Sequence, residues 1–162
     1  MPRLILLALL LLAACAAPRP AASLRDPAVP VRSIAGYDFA LMQGDWHEAA
    51  SLAPAATACG PGHLSVRPEG AALRLSGALC MAGSLRPVNA RAVPSGPGRL
   101  ALSGEVEDWW VIWADHGDRT LVLAPPSGRF AVVLDRGRIP PDRLKAAREM
   151  LDFNGFNVAL LH

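Results

Sequence analysis

The stretch EVEDWWVIWADHGDRTLVLAPPSGRFAVVLDR, residues 105–136, decides the fold of this chain. It contains three apolar runs rich in aromatic and β-branched residues, which predict β-strands. These runs are 109–115, 120–124 and 130–134. Turn-forming residues separate them, first His116-Gly117-Asp118 and then the segment 125–128. Such runs are too short for typical helices, so they predict a meander that needs another layer, or closure on itself, to cover its apolar face.

The rest of the chain continues the pattern of short runs and turns. Five more strands are predicted, at 44–53, 62–67, 71–80, 84–93 and 99–103. Pro140-Pro141 then predicts the start of a helix that ends at Asn154-Gly155, and 156–161 predicts a short ninth strand. The pattern favours an all-β fold, an eight-stranded antiparallel up-and-down barrel with one C-terminal α-helix and that ninth strand.

The first residues predict a secretory signal peptide. Arg3 precedes a nine-residue apolar run, 4–12, which is followed by Ala13-Ala14 and Cys15. This ending resembles the lipobox of bacterial lipoproteins, which implies cleavage before Cys15 and attachment of lipid there. The alternative is a plain secretory signal that happens to contain a cysteine. Because Ala16 is not aspartate, the lipoprotein resemblance implies sorting to the outer membrane, with the domain facing the periplasm.

These patterns divide the chain into three parts: a lipoprotein signal peptide at 1–14, a lipidated cysteine and flexible tether at 15–34, and a barrel domain at 35–162. The chain has 162 residues and a formal net charge of +2, with no basic run that would predict nucleic acid as a partner. It contains no GxSxG motif and no metal-ligand spacing such as HExxH or CxxC. We therefore predict no catalytic site, no metal and no cofactor.

Two further cysteines, Cys59 and Cys80, are predicted to form a disulfide bond in an oxidising compartment. If Glu69-Gly70 is the loop of a hairpin, Cys59 lies opposite Cys80, just as Leu64 lies opposite Leu75 and Val66 opposite Leu73. One register would then explain both the apolar ladder and the cysteine spacing. The alternative is a pair of free cysteines.

Several segments resemble the lipocalin family. They are Gly44-Asp45-Trp46, the strand 110–115, Val133 to Arg136, and the C-terminal helix followed by Gly155-Phe156. The resemblance implies an eight-stranded barrel, closed at one end, that holds hydrophobic ligands. It implies that Trp46 and Arg136 meet at the closed end in a structural role. Bacterial members resemble apolipoprotein D and are linked to fatty acids and lysophospholipids at the outer membrane.

The resemblance also assigns a ligand-lining set. Strand alternation places Trp109, Val111 and Trp113 on one face, which the resemblance assigns to the lumen. The other predicted lining residues are Val122, Ala124, Leu64, Val66, Leu73 and Leu75. The first hypothesis is an outer-membrane-anchored carrier of a fatty acid or lysophospholipid. The alternative is a structural or inhibitory periplasmic lipoprotein whose filled barrel binds a protein. The oligomeric state stays open.

Overall fold

The structure is a computed structural model that describes residues 24–57 and 59–162. The predicted signal peptide, Cys15 and the first part of the tether lie outside the described residues. Within those ranges, no helix is both long enough and apolar enough to cross a bilayer.

Eight antiparallel strands form a closed barrel. Each strand pairs with the next in sequence, and β1 closes the barrel by pairing with β8. The strands are β1 Gly44–Ser51, β2 His63–Glu69, β3 Ala72–Met81, β4 Ser84–Gly96, β5 Arg99–Leu102, β6 Trp109–Ala114, β7 Thr120–Ala124 and β8 Val132–Asp135. The predicted up-and-down barrel is confirmed.

One helix, α1 (Pro141–Phe153), packs on the outside of the barrel against β6 and β7. It begins with a proline, whose missing N–H is not needed in the first turn. Ala147 and Leu151 are fully buried, and Leu144 packs beside them. The predicted helix is confirmed, and the described residues form two apolar clusters, one inside the barrel and one under α1.

The predicted ninth strand is not formed. Phe156 and Leu161 make isolated bridges with Arg25 and Leu52, and a 3-10 turn, Val158–Leu160, lies between them. The Asn157 side chain accepts a hydrogen bond from the Ala159 amide (3.2 Å) and so stabilises that turn in place of an extended strand.

The register of the β2–β3 hairpin differs from the predicted one by two residues. Val66 pairs with Leu75 and Pro68 with Leu73, because Gly70-Ala71 forms the turn. Gly70 adopts a positive φ of 63°, a conformation that glycine takes without steric cost. A shift of two residues preserves the face of every side chain, so the inward set of this hairpin is unchanged.

Part of the predicted tether packs on the barrel. Leu24 is buried, and its amide donates to the Gly128 carbonyl (3.2 Å), while the Ile34 amide donates to Val111 (2.9 Å). A 3-10 helix, Phe39–Met42, follows and leads into β1. Residues 24–34 therefore belong to the packed domain because they bury apolar surface and form backbone hydrogen bonds.

Candidate functional site

The lumen of the barrel contains six of the nine predicted lining residues. They are Leu64, Val66, Leu73, Leu75, Trp109 and Val111. Alternate residues of neighbouring strands join them inside, among them Leu100, Leu121, Leu123 and Leu134. Leu64, Val66, Leu75 and Val111 are at most 1% exposed, so side chains fill the middle of the barrel.

The other three predicted lining residues face outward, and their assignment to the lumen is wrong. Trp113, Val122 and Ala124 belong to the cluster under α1. In β7, Leu121 and Leu123 face the lumen, so Val122 and Ala124 face outward. For Trp113 the cause is an irregularity in β6, where Val111 pairs with Leu123 but Trp113 pairs with Val122, so that Ile112 is the extra residue. Such a bulge breaks the alternation of the strand and turns Trp113 to the outer side.

Trp46 and Arg136 meet at one end of the barrel, which we call the closed end. The guanidinium carbon of Arg136 lies 4.0 Å from the Trp46 ring centroid. The same guanidinium donates to the carbonyls of Leu41 (2.6 Å) and Gln43 (2.9 Å). The Trp46 indole N–H donates to the Met42 carbonyl (2.7 Å). Arg136 thus fixes the 3-10 helix across this end of the barrel.

A glycine is required beside this contact. Gly44 has a φ of +118°, and a Cβ atom built there would lie 2.5 Å from Nη1 of Arg136. The glycine of the Gly44-Asp45-Trp46 segment therefore makes room for the arginine.

Tyr37 packs against the lumen cluster near the closed end. Its hydroxyl is buried, and no hydrogen-bond partner for it occurs among residues 24–57 and 59–162. Burial, aided by the negative charge of Asp118, raises the pKa of Tyr37 well above its ordinary value. The phenol is therefore neutral at physiological pH and acts here as part of the apolar cover.

The opposite end, which we call the mouth, contains a cavity of about 420 Å³. Its wall is mixed. The apolar lining residues include Met81, Val88, Ala90, Leu102 and Trp109, and the polar ones include Arg86, Asn89, Ser103 and Glu105. A neighbouring cavity of about 160 Å³ shares Met81, Arg86 and Glu105 and adds Arg129 and Phe130. A concave site with an apolar wall and a few polar groups is typical of small-ligand sites.

Two aromatic rings lie at the mouth. Trp109 and Phe130 make an edge-to-face contact with their centroids 5.2 Å apart. Trp109 is 1% exposed, and its indole N–H has no hydrogen-bond partner in the described parts of the chain. A buried donor without a partner is costly to the folded state. Arg129 lies next to the Phe130 ring and forms an ion pair with Glu105.

The disulfide joins the loop after β1 to the end of β3, at the mouth. The predicted bond between Cys59 and Cys80 is confirmed, with a Cα–Cα distance of 5.8 Å. It forms even though the hairpin register differs from the predicted one, because Cys59 lies in the loop before β2 and is not part of the ladder.

A buried carboxyl lies beside the disulfide. Glu48 accepts hydrogen bonds from the amides of Cys80 (2.7 Å) and Gly62 (3.2 Å). Burial nevertheless raises the pKa of Glu48, because the hydrogen bonds only partly offset the loss of solvation. Glu48 therefore has a structural role in holding the loop before β2 against the end of β3. In the ranges that the structure covers, no group of three His, Cys, Asp or Glu side chains is arranged to hold a metal ion.

Sequence reasoning missed most of the mouth. Val88 and Ala90 could have been found, because they alternate with polar residues along β4. Arg86, Glu105 and Phe130 lie at strand ends or in loops, and only the closed topology brings them together.

Comparison with solved structures finds proteins of similar fold. The chain is similar to lobster apocrustacyanin A1, with a TM-score of 0.57 and 12% identity over 83% of this chain and 88% of that chain. It is also similar to the siderocalin Ex-FABP, which is described as functioning through dual ligand specificities (TM-score 0.57, 14% identity, 75% of this chain and 91% of that chain). A third similar structure is apocrustacyanin C2, with a TM-score of 0.56, 11% identity, and coverage of 83% and 88%.

No protein-family model matches the chain, and no curated protein matches it. At identities of 11–14%, the structural similarity supports a conclusion about the fold alone. The order of strands, the closed barrel and the C-terminal helix agree with that likeness. The chain therefore has the lipocalin fold.

Proposed function

We propose that this protein is anchored at the outer membrane through an acylated Cys15 and holds a small hydrophobic ligand, a fatty acid or lysophospholipid, at the mouth of its barrel. The observation that carries this proposal is the mouth cavity of about 420 Å³ at one end of a closed eight-stranded barrel. A barrel of eight strands can hold one small ligand. The sequence before Cys15 supports the anchor.

The wall of the cavity suits an amphiphile. Met81, Val88, Ala90 and Leu102 offer apolar contact, at about 0.8 kcal/mol for each CH₂ that leaves water. Arg86 offers a donor to a carboxylate or phosphate oxygen. The likeness to a siderocalin described as acting through ligand specificities supports a binding role.

A second candidate function follows from the filled lumen. Leu64, Leu75, Val111 and Leu121 leave little room below the mouth. A barrel filled in this way favours a structural or inhibitory lipoprotein that binds a protein through its surface. An acyl chain would then be held only at the mouth, or would have to displace side chains of the lumen.

Mass spectrometry separates these two functions. We expect protein purified from cells as the soluble Cys15→Ser variant to carry one amphiphilic lipid per chain after denaturation and extraction. Native protein that is folded and free of lipid, and that also fails to take up added fatty acid, would favour the filled-barrel function. In the same cells, processed wild-type protein should fractionate with outer membranes, and the Cys15→Ser variant should not.

A further inference from the structure

We infer that the mouth of the barrel faces the membrane, and that its rim docks on the phospholipid surface so that a ligand can pass directly between bilayer and cavity. This inference rests on the proposed function, because it requires the anchor at Cys15. It adds an orientation and an interaction surface to that function. The committed partner is the head-group and upper acyl region of a phospholipid bilayer.

The described chain begins at the mouth of the barrel. Leu24 bonds to Gly128, and the Arg25 guanidinium donates to the Pro126 carbonyl (3.3 Å). Gly128 and Pro126 lie in the loop between β7 and β8, which forms part of the mouth. The segment toward the anchor therefore leaves the domain at the mouth and not at the closed end.

The number of residues between Cys15 and Leu24 limits how far the domain can lie from its anchor. Leu24 follows Cys15 by nine positions, so the two Cα atoms are at most about 32 Å apart. The eight residues of β1 alone rise about 26 Å along the barrel wall. Because the strands of such a barrel tilt by about 35–45°, this rise corresponds to about 20 Å along the barrel axis. A closed end pressed to the membrane would therefore use more than half of the reach, whereas a mouth facing the membrane uses little of it. Chain entropy therefore favours the mouth-down orientation.

The rim of the mouth exposes apolar side chains. Val106, in the loop between β5 and β6, is 91% exposed, and Leu85, at the start of β4, is 55% exposed. Both lie at the mouth, and their neighbours Arg86 and Glu105 line the cavity. The two apolar tips thus border the entrance. At the closed end Leu41 is 45% exposed, so it is the position of Val106 and Leu85 beside the cavity entrance that fits shallow insertion into a membrane interface.

The acidic residues around Val106 bond to the protein. Glu105 pairs with Arg129, Glu107 accepts from the Ser127 amide (3.3 Å), and Asp108 accepts from the Ser95 hydroxyl. Their charges are thereby held against the barrel, so Val106 projects as the apolar tip of an otherwise acidic loop. On the other side, Arg86 has no ion pair within the described ranges and follows Leu85, where its guanidinium can bind a lipid phosphate.

The test places a reporter at each end of the full, acylated protein. Val106→Cys and the matched control Ala71→Cys each add a thiol that can be labelled, because Cys59 and Cys80 are already bonded to each other. Ala71 is exposed and lies in the β2–β3 turn at the closed end. Each variant is labelled with an environment-sensitive dye and reconstituted into vesicles of phosphatidylethanolamine and phosphatidylglycerol that contain lipids with a quencher on the acyl chain.

We expect a blue shift and loss of emission at position 106, and neither change at position 71. Equal quenching at the two positions, or stronger quenching at 71, would overturn the orientation while leaving ligand binding and anchoring intact. Protein that does not sediment with vesicles would overturn the orientation together with the anchor. Sedimenting protein that shows quenching at 106 but binds no fatty acid would uphold the orientation and refute the carrier function.

A second measurement follows the transfer of a fluorescent fatty acid between the reconstituted protein and the bilayer. The double variant Leu85→Glu and Val106→Glu should slow transfer about tenfold, because two apolar contacts with the membrane are replaced by charges. Leu41→Glu, at an exposed position of the closed end, is the matched control and should transfer at the wild-type rate. Equal slowing by both substitutions, or by neither, would contradict docking through the mouth.

Discussion

Trp46 is held at the closed end by three separate contacts. Its ring lies under Arg136 at 4.0 Å, its indole N–H donates to Met42 at 2.7 Å, and its side chain is 1% exposed in the lumen cluster. A cation over an indole contributes about 0.5–2 kcal/mol, and an indole hydrogen bond to a buried carbonyl about 0.5–1.5 kcal/mol. The residue therefore acts on stability at the end of the barrel opposite the cavity.

We expect Trp46→Phe to lower the free energy of unfolding by about 2 kcal/mol, because the Met42 carbonyl loses its donor and Arg136 loses the larger ring. Ligand affinity should stay at the wild-type level, because the mouth is untouched. Urea denaturation followed by circular dichroism measures the first quantity, and fatty-acid titration measures the second. A large loss of affinity in a folded Trp46→Phe protein would place the ligand deeper than we describe.

Glu48 gives the stability a pH dependence of known sign. Burial raises its pKa in the folded protein above the ordinary 4.5, so the folded state binds its proton more tightly than the unfolded state. The stability that this proton confers is fully present below pH 4.5 and is lost as the pH rises through the folded pKa.

The variant Glu48→Gln should flatten the fall in stability from pH 4.5 upward, because a neutral amide has no proton to lose. Urea unfolding of wild type and variant at a series of pH values measures this slope. Asp45→Asn provides a control and should leave this slope unchanged. Asp45 is exposed, and a hydrogen bond from Arg67 lowers its pKa. Equal slopes for wild type and Glu48→Gln would show that Glu48 is not the titrating group.

At the scale of elements, α1 is fastened to the barrel by a buried polar network. Arg143 lies 3.2 Å from the Asp135 carboxylate and donates to the Thr120 hydroxyl (2.8 Å). That hydroxyl donates in turn to Asp135 (2.5 Å), which is fully buried at the end of β8. The network therefore connects the first turn of α1 to β7 and β8, while Ala147 and Leu151 supply the apolar contact further along.

Removal of the cation should be costly. We expect Arg143→Met to lower stability by about 3 kcal/mol, because it leaves the Asp135 carboxylate buried without its cationic partner. Lys145→Met on the same helix is the matched control, since Lys145 is 77% exposed in its pair with Glu149, and it should change stability by at most about 0.5 kcal/mol. Thermal or urea unfolding compares the two, and similar losses would argue against the network.

Most elements were predictable from sequence because each depends on local chemistry. Alternation and turn residues located the eight strands, and Pro141 with Asn154 bounded the helix. The extra residue at Ile112 was not predictable, because a bulge leaves no signal in the alternation of a strand that is apolar throughout. This bulge is the reason that Trp113 faces outward and does not line the lumen. Val122 and Ala124 were assigned to the wrong face because every residue of β7 is buried, so the sequence does not distinguish the inner face of this strand from the outer one.

At the scale of the whole molecule, the barrel has three zones along its axis. The closed end is covered by the 3-10 helix and Arg136, the middle is filled by side chains, and the mouth holds the cavity. The resemblance to lipocalins predicts the closed end through Trp46 and Arg136. It does not predict how deep the cavity reaches, because that depends on how inward side chains from all eight strands fill one volume.

The central claim is that the mouth cavity binds a small hydrophobic ligand, and titration of a fluorescent fatty acid into the folded protein tests it most directly. Ala90 is 5% exposed and lines the cavity, so Ala90→Phe should fill it, whereas Ala71→Phe changes an exposed turn at the closed end. We predict saturable binding of one ligand to wild type and Ala71→Phe, with affinity at least about tenfold weaker in Ala90→Phe. Absence of binding to folded wild type, or equal affinity in all three proteins, would contradict the account.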